Sequence, residues 1–86
     1  MEELAQLTPD AEHRFERLRR ARGELAKAQQ VPAYVICHDR TLRLIAQHAP
    51  ADARALEQVK GMGPHKVKMY GEALLEAMRE AGGGSA

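Results

Sequence analysis

Apolar residues recur at helical spacing in two long segments of this chain, and no other feature limits its fold as strongly. The first stripe, with intervals of four, three, four and three residues, consists of Ala11, Phe15, Leu18, Arg22 and Leu25. The second, with intervals of four, three and four, consists of Val67, Gly71, Leu74 and Met78. Because this period places side chains on one helix face, both segments are predicted to be amphipathic helices. With no Trp, one Phe and two Tyr, the core must be aliphatic, which favours an all-α fold.

Capping residues and a proline bound the first helix. Thr8 is suited to cap it, because its hydroxyl can accept a hydrogen bond from a free amide, and Pro9 suits the first helical position. The helix is predicted to end at Val31-Pro32, since the residue before a proline avoids the helical region. The apolar run 33–37 fits either a strand or a single helical turn. We predict the turn, because the chain offers no partner strand.

Two aspartates mark the starts of the next two helices. Asp39 is predicted to cap a helix over residues 40–48, and Asp52 to cap a short helix over 53–59. A long final helix follows a glycine-rich connection and ends near Glu80. Together these elements predict a compact bundle of about five short helices.

The length of the chain and its termini define the expected domain organisation. At 86 residues it fits one domain, which we place at 9–80, with a linker or lead-in at 1–8 and a flexible Gly/Ser tail at 81–86. The single cysteine, Cys37, excludes an internal disulfide. No apolar run is long enough to span a bilayer, and the acidic N-terminus is unlike a signal peptide. We therefore expect a soluble, intracellular protein.

The segment Gly61-Met62-Gly63 is the sharpest functional signal. Its glycines allow a tight turn between helices and leave the backbone amides uncovered, and Pro64 opens a helix whose amino-terminal end favours an anion. The basic residues around it are Lys60, His65, Lys66 and Lys68. This helix-hairpin-helix-like connection is predicted to hold a nucleic-acid phosphate without reading bases. The alternative is a simple helix connector with solvated lysines.

The charges along the last helix oppose its dipole. Basic residues crowd its first turn, whereas Glu72, Glu76 and Glu80 run toward its C-terminal end. Unfavourable placement of charges in a helix occurs most often at functional sites. The glutamates therefore suggest an acidic surface that docks on a basic neighbouring domain or repels DNA. A solvated face is the commoner origin of such a stripe. With a net charge of only +1, any nucleic-acid affinity is expected to be local and weak.

Other polar side chains favour structural roles. Arg22 interrupts an apolar stripe, where its stem can pack while the guanidinium pairs with a carboxylate or helix-end carbonyls. Tyr34 is expected to cap the core with its hydroxyl exposed, and the alternative is a stacking platform for an unpaired base. The four histidines lack metal-ligand spacing, and no catalytic or nucleotide-binding motif is found. We therefore expect no enzyme activity, no metal and no cofactor.

Several segments in register resemble the HRDC domain of RecQ-type helicases and RNase D. The helical segments that carry the resemblance are Phe15…Leu18…Arg22…Leu25-Ala26, Asp39…Thr41-Leu42…Ile45-Ala46, Pro50…Leu56…Val59 and Tyr70-Gly71…Leu74. The connecting segments are Val31-Pro32-Ala33-Tyr34-Val35-Ile36 and Gly61-Met62-Gly63…Lys66. The match covers about residues 10–80 and is most like the domain of bacterial RecQ-type DNA helicases.

This resemblance implies a compact bundle of about five short helices that is noncatalytic and appended to a larger enzyme. In RecQ-like helicases, which act in DNA repair and recombination, such a module tunes binding to single-stranded or structured DNA. The nucleic-acid face implied by the family lies around Tyr34, the turn His38-Asp39-Arg40 and the hairpin, where its basic residues are Lys60, Lys66 and Lys68. One departure is His38, since the family often has a small polar residue there.

Two alternatives stay open. The chain could be an interaction or interdomain regulatory module that docks through its acidic last helix, or an appended domain of an RNase D-like exoribonuclease. The expected partners are single-stranded or partial-duplex DNA, bound weakly, and the helicase core or sister domains of the parent protein. We expect a monomer in the bacterial cytoplasm, associated with the nucleoid and without membrane contact.

Overall fold

The computed structural model describes residues 7–83, and within this range the chain forms five helices and no strand. The helices are α1 (Pro9–Gln29), α2 (Ala33–Ile36), α3 (Asp39–His48), α4 (Ala53–Glu57) and α5 (Gly63–Gly83). The predicted all-α bundle is confirmed. Helices α1 and α5 have 21 residues each, and the other three have ten residues or fewer.

Helix α1 begins and ends with side-chain and backbone caps. The Thr8 hydroxyl accepts a hydrogen bond from the Ala11 amide at 3.1 Å, as predicted. At the other end Gln30 takes a left-handed conformation with a φ of 58°, and its amide donates to the Lys27 carbonyl. The helix therefore ends just before Val31-Pro32, where the proline predicted its termination.

The predictions for the middle of the chain are partly corrected. Residues 33–36 form the helical turn α2, as predicted, and Asp52 caps α4 by accepting from the Ala55 amide at 2.9 Å. Asp39 does not cap α3; it is the first residue of that helix, and His38 occupies the cap position without a side-chain hydrogen bond. The backbone is still extended at His38, so the helix begins at Asp39, and the Asp39 carboxylate pairs with Arg22 of α1.

The two long helices form the frame of the bundle. Arg17 pairs with Glu80, and the Tyr70 hydroxyl donates to the Gln29 side chain, so α1 and α5 run antiparallel. Helix α5 also packs on α4, and α1 packs on α2 and α3. The Cα radius of gyration is 12.0 Å, which equals the roughly 12 Å expected of a compact domain this long.

The core is aliphatic, as the composition predicts. Its largest fully buried side chains are Leu18, Ile36, Cys37, Leu42, Ile45, Leu56 and Leu74. They come from all five helices or the turns between them, so no helix is dispensable to the core. Helix α5 continues to Gly83, past the predicted end at Glu80, and thus includes residues 81–83 of the predicted tail. The remainder of that tail and residues 1–6 of the predicted lead-in lie outside the described residues.

Candidate nucleic-acid interface

A groove of about 590 Å³ lies where the turn before α3 meets the hairpin before α5. We call it the hairpin groove, and its lining residues are His38, Arg40, Thr41, Leu44, Lys60 and Gly61. Arg40 and Lys60 are exposed and bring two cationic side chains to one concave surface. The fold thus unites two separate segments that the sequence singled out, the His38–Arg40 turn and the glycine hairpin.

Close backbone packing sets the position of the hairpin. Gly61 has a φ of 98°, and a Cβ at this residue would lie 2.4 Å from the Thr41 hydroxyl oxygen. Only glycine permits both the left-handed conformation and this approach to α3. Gly63 has a φ of 68° and starts α5. Beyond it, the first amides of α5 have no partner within the helix and point toward its amino-terminal end.

Met62, the middle residue of the hairpin, differs in placement from its neighbours in the predicted site. Its side chain is buried in the core, only 4% exposed, and its amide donates to the Val59 carbonyl at 3.0 Å. Neither group is available to a ligand. The middle residue of the hairpin anchors it to the core, and the flanking Lys60 and Gly61 face the groove.

Arg22 fixes the other wall of the hairpin groove. This side chain is buried, and its guanidinium donates to the Cys37 carbonyl at 3.0 Å and pairs with the Asp39 carboxylate at 2.8 Å. These contacts connect α1 to the turn that carries His38. The predicted structural tie is confirmed, and its partners are a carboxylate and a backbone carbonyl, the two kinds that the sequence suggested.

Tyr34 does not cap the core, contrary to the preferred prediction. Its side chain is 62% exposed, and its ring stacks on His38 with 6.2 Å between ring centroids and 18° between planes. A single helical turn directs only part of its residues inward. In α2 the inward residue is Ile36, which leaves Tyr34 and Val35 on the surface. The ring therefore lies against His38, which lines the groove.

The remaining basic residues of the predicted site lie on α5. Lys66 is half-buried, and its charge acts on Cys37, which directly precedes His38. His65 and Lys68 are exposed on α5 and do not line the groove. Sequence reasoning missed Thr41 and Leu44. Their spacing of three on α3 was the available signal, since it places both on the helix face next to Arg40.

The Cys37 thiol is buried beneath this turn. Burial raises the pKa of the thiol above its ordinary value of 9.0, while the charges of Arg22 and Lys66 lower it and that of Asp39 raises it. A thiol whose pKa is raised stays protonated and reacts slowly, because the thiolate is the nucleophile.

We expect Cys37 to resist a disulfide reagent at pH 8 in the folded protein and to react fully in denaturant. Because the folded-state pKa is the higher one, its stabilising contribution is complete below pH 9.0 and declines as the pH rises from there. Time-resolved absorbance with 5,5′-dithiobis(2-nitrobenzoate) measures the labelling rate. Rapid stoichiometric labelling of the native protein would contradict the buried placement.

The predicted acidic surface is exposed but partly neutralised. Glu80 pairs with Arg17 of α1, and Glu76 lies 3.6 Å from Arg79. Glu72 is exposed on the same helix. A second groove, of about 330 Å³, runs between α1 and α5. Its lining residues are Ala21, Glu24, Leu25, Ala28, Ala73, Glu76, Ala77 and Glu80. Glu24, which the sequence did not single out, thus adds a carboxylate to this surface.

The described residues include neither a cluster of metal ligands nor a helix that could span a membrane. No group of three or more His, Cys, Asp or Glu side chains in this part of the chain could hold a metal ion. Among residues 7–83, no helix has both the length and the apolar character that crossing a membrane requires.

Comparison with known proteins places these features in context. The family model of the HRDC domain matches residues 11–78. The ATP-dependent DNA helicase UvrD2 of Mycobacterium tuberculosis (strain H37Rv) is 44% identical over 54 residues, which are 63% of this chain and 8% of the helicase. The ATP-dependent DNA helicase RecQ of Bacillus subtilis (strain 168) is 37% identical over 65 residues, 76% of this chain and 11% of that protein.

A second RecQ helicase, from Haemophilus influenzae, is 30% identical over 66 residues, 77% of this chain and 11% of the helicase. The chain therefore spans about a tenth of the length of the curated relatives that it matches. No solved structure matches it.

Proposed function

The chain belongs to the HRDC domain family, and we propose that it is a noncatalytic accessory module that modulates DNA binding by an ATP-dependent DNA helicase. The hairpin groove is the contact surface, and single-stranded or partial-duplex DNA is the ligand. The observation that carries this proposal is the convergence of Arg40 and Lys60 on one groove beside the amino-terminal end of α5. Relatives named as DNA helicases of both the RecQ and UvrD2 types support a helicase as the parent protein.

The chemistry of the groove suits a phosphate backbone. Arg40 and Lys60 supply charge, and the free amides at the start of α5 supply oriented donors. Such contacts position a strand without reading its sequence. Since only two or three phosphates can be contacted, binding is weak, and the slope of log affinity against log salt is about −1.4 to −2.1. ATP hydrolysis and unwinding belong to the rest of the parent protein.

Charge reversal at Lys60 tests this proposal. We expect Lys60→Glu to weaken binding of the chain to a labelled single strand about tenfold, because one charged contact is replaced by repulsion. Fluorescence anisotropy at low and moderate salt gives both the affinity and the salt slope.

The matched control is Arg20→Glu, which makes the same change in net charge. Arg20 is exposed and lies about 200° around α1 from Arg22, and so faces away from the groove. The control should bind nearly as the parent chain does, provided that circular dichroism shows both variants folded. Equal losses of DNA affinity in the two variants would contradict a specific contact at the groove and would indicate a diffuse electrostatic attraction.

A second candidate function rests on the groove between α1 and α5. Alanine side chains line it, and Glu24 and Glu76 supply negative charge beside them, which suits a basic surface of a helicase core or sister domain. We expect the double variant Glu72→Lys, Glu76→Lys to change unwinding by the full-length parent but not DNA binding by this chain. Unwinding assays on the parent protein measure this. Unchanged unwinding by the parent enzyme with this double variant would contradict the docking function.

A further inference from the structure

A second concavity adjoins the hairpin groove and has no role in the function proposed above. It has a volume of about 510 Å³ and lies between α3 and α4. We call it the α3–α4 pocket, and its lining residues are Leu44, His48, Pro50, Ala55, Gln58, Val59 and Lys60. Leu44 and Lys60 line the hairpin groove as well. The two concavities thus meet along a shared edge, and Lys60 stands at the boundary.

The lining of the α3–α4 pocket differs in chemistry from that of the hairpin groove. Leu44, Pro50, Ala55 and Val59 give it an apolar surface. Gln58 and His48 add polar side chains, and both residues are exposed. A mostly apolar concavity with a few polar groups is the usual form of a site for a flat organic ring. An amide can both donate and accept, so Gln58 can pair with a base edge.

We propose that the α3–α4 pocket receives an unpaired nucleobase of the strand whose phosphate lies in the hairpin groove. This inference rests on the function proposed above and specifies its ligand as single-stranded at this point. Lys60, at the shared edge, contacts the phosphate that joins the two subsites. The base packs against Leu44 and Val59, and its polar edge faces Gln58.

The neighbouring phosphate site is what selects a base as the occupant. A nucleotide presents an anion and an apolar ring one after the other along the chain, and the two concavities present cationic and apolar surfaces in the same order. Bases within a duplex are stacked and cannot enter a side pocket, whereas a single strand can turn a base outward. Apolar contact is tolerant of base identity, so only a weak sequence preference follows.

Strands with and without bases test the proposal. We would titrate the 86-residue chain with labelled oligothymidylate and with an abasic oligonucleotide of equal length and charge, using anisotropy at low salt. The expected result is that the abasic strand binds at least about fivefold more weakly. The variant Ala55→Leu fills the pocket from α4 and should bind both strands with the abasic affinity. Gln58→Ala, at an exposed position, should lower only the thymidylate affinity.

The outcomes separate this proposal from the one on which it rests. Equal affinity for the two strands, with Lys60→Glu still weakening both, would overturn the base pocket and leave the phosphate contact standing. A preference for thymidylate that survives both Ala55→Leu and Gln58→Ala would also overturn it, because the base would then lie elsewhere. Absence of binding to either strand would contradict the function itself.

Discussion

Replacing Arg22 with alanine is expected to destabilise the domain by about 2–4 kcal/mol. The guanidinium donates to the buried Cys37 carbonyl, and its removal leaves that acceptor without a partner, which costs about 1–3 kcal/mol. Lost packing of the buried stem adds to this. The ion pair with Asp39 contributes little, because that carboxylate is 67% exposed. Thermal unfolding should show a midpoint lowered by about 10–25 °C.

Two variants identify the source of the Arg22 effect. Arg20→Ala removes an exposed arginine from the same helix and should change stability by no more than about 0.5 kcal/mol. Asp39→Asn removes only the exposed partner and should cost less than about 1 kcal/mol. If Arg22→Ala were as stable as Arg20→Ala, the tie between α1 and the His38 turn would have no energetic importance.

Gly61→Ala is expected to lower the free energy of unfolding by about 2–3 kcal/mol. Part of this is backbone strain, since an L residue rarely adopts a φ of 98°. The rest is steric, because the new methyl group would lie 2.4 Å from the Thr41 hydroxyl oxygen of α3. The hairpin must shift to relieve the overlap, so DNA affinity should fall together with stability. Urea unfolding measures the free energy of unfolding, and fluorescence anisotropy measures the affinity for DNA.

Gly63 supplies the matched control for Gly61. Its φ is also positive, at 68°, but a Cβ there meets nothing within 4 Å. Gly63→Ala therefore introduces backbone strain without a steric overlap, and it should lower the free energy of unfolding by about 1 kcal/mol. Adding Thr41→Ala to Gly61→Ala removes the hydroxyl and should recover the steric part. A Gly61→Ala variant no less stable than Gly63→Ala would show that the hairpin does not press on α3 as closely as described.

The helices were predictable because their signals are local. The caps at Thr8 and Asp52 depend on residues close in sequence, and so do the two apolar stripes that contain Leu18 and Leu74. Periodicity and capping rules therefore identify them. Asp39 could not be assigned this way. Its carboxylate had two possible partners, a helix amide nearby and Arg22 on another helix, and only the tertiary structure decides between them.

The candidate site was predictable in its charges but not in its shape. Lys60 and Arg40 were identified from the hairpin and from family resemblance. The burial of Met62 was not predictable, because sequence cannot tell which residue of a tight turn points into the core. Tyr34 was misplaced for the same reason, since a single helical turn carries too little periodicity to define an inner face. The α3–α4 pocket arises from the packing of neighbouring helices and has no local signal.

Amide chemical-shift mapping of the ¹⁵N-labelled chain with a short single-stranded oligonucleotide tests the central claim most directly. A DNA contact at the hairpin groove predicts that the largest shifts at low salt fall on His38–Thr41 and on Lys60–Lys66, and that moderate salt reverses them. Amides of Glu72 and Glu76, on the acidic part of α5, should stay unchanged. Shifts concentrated on the groove between α1 and α5, or none at low salt, would contradict the claim.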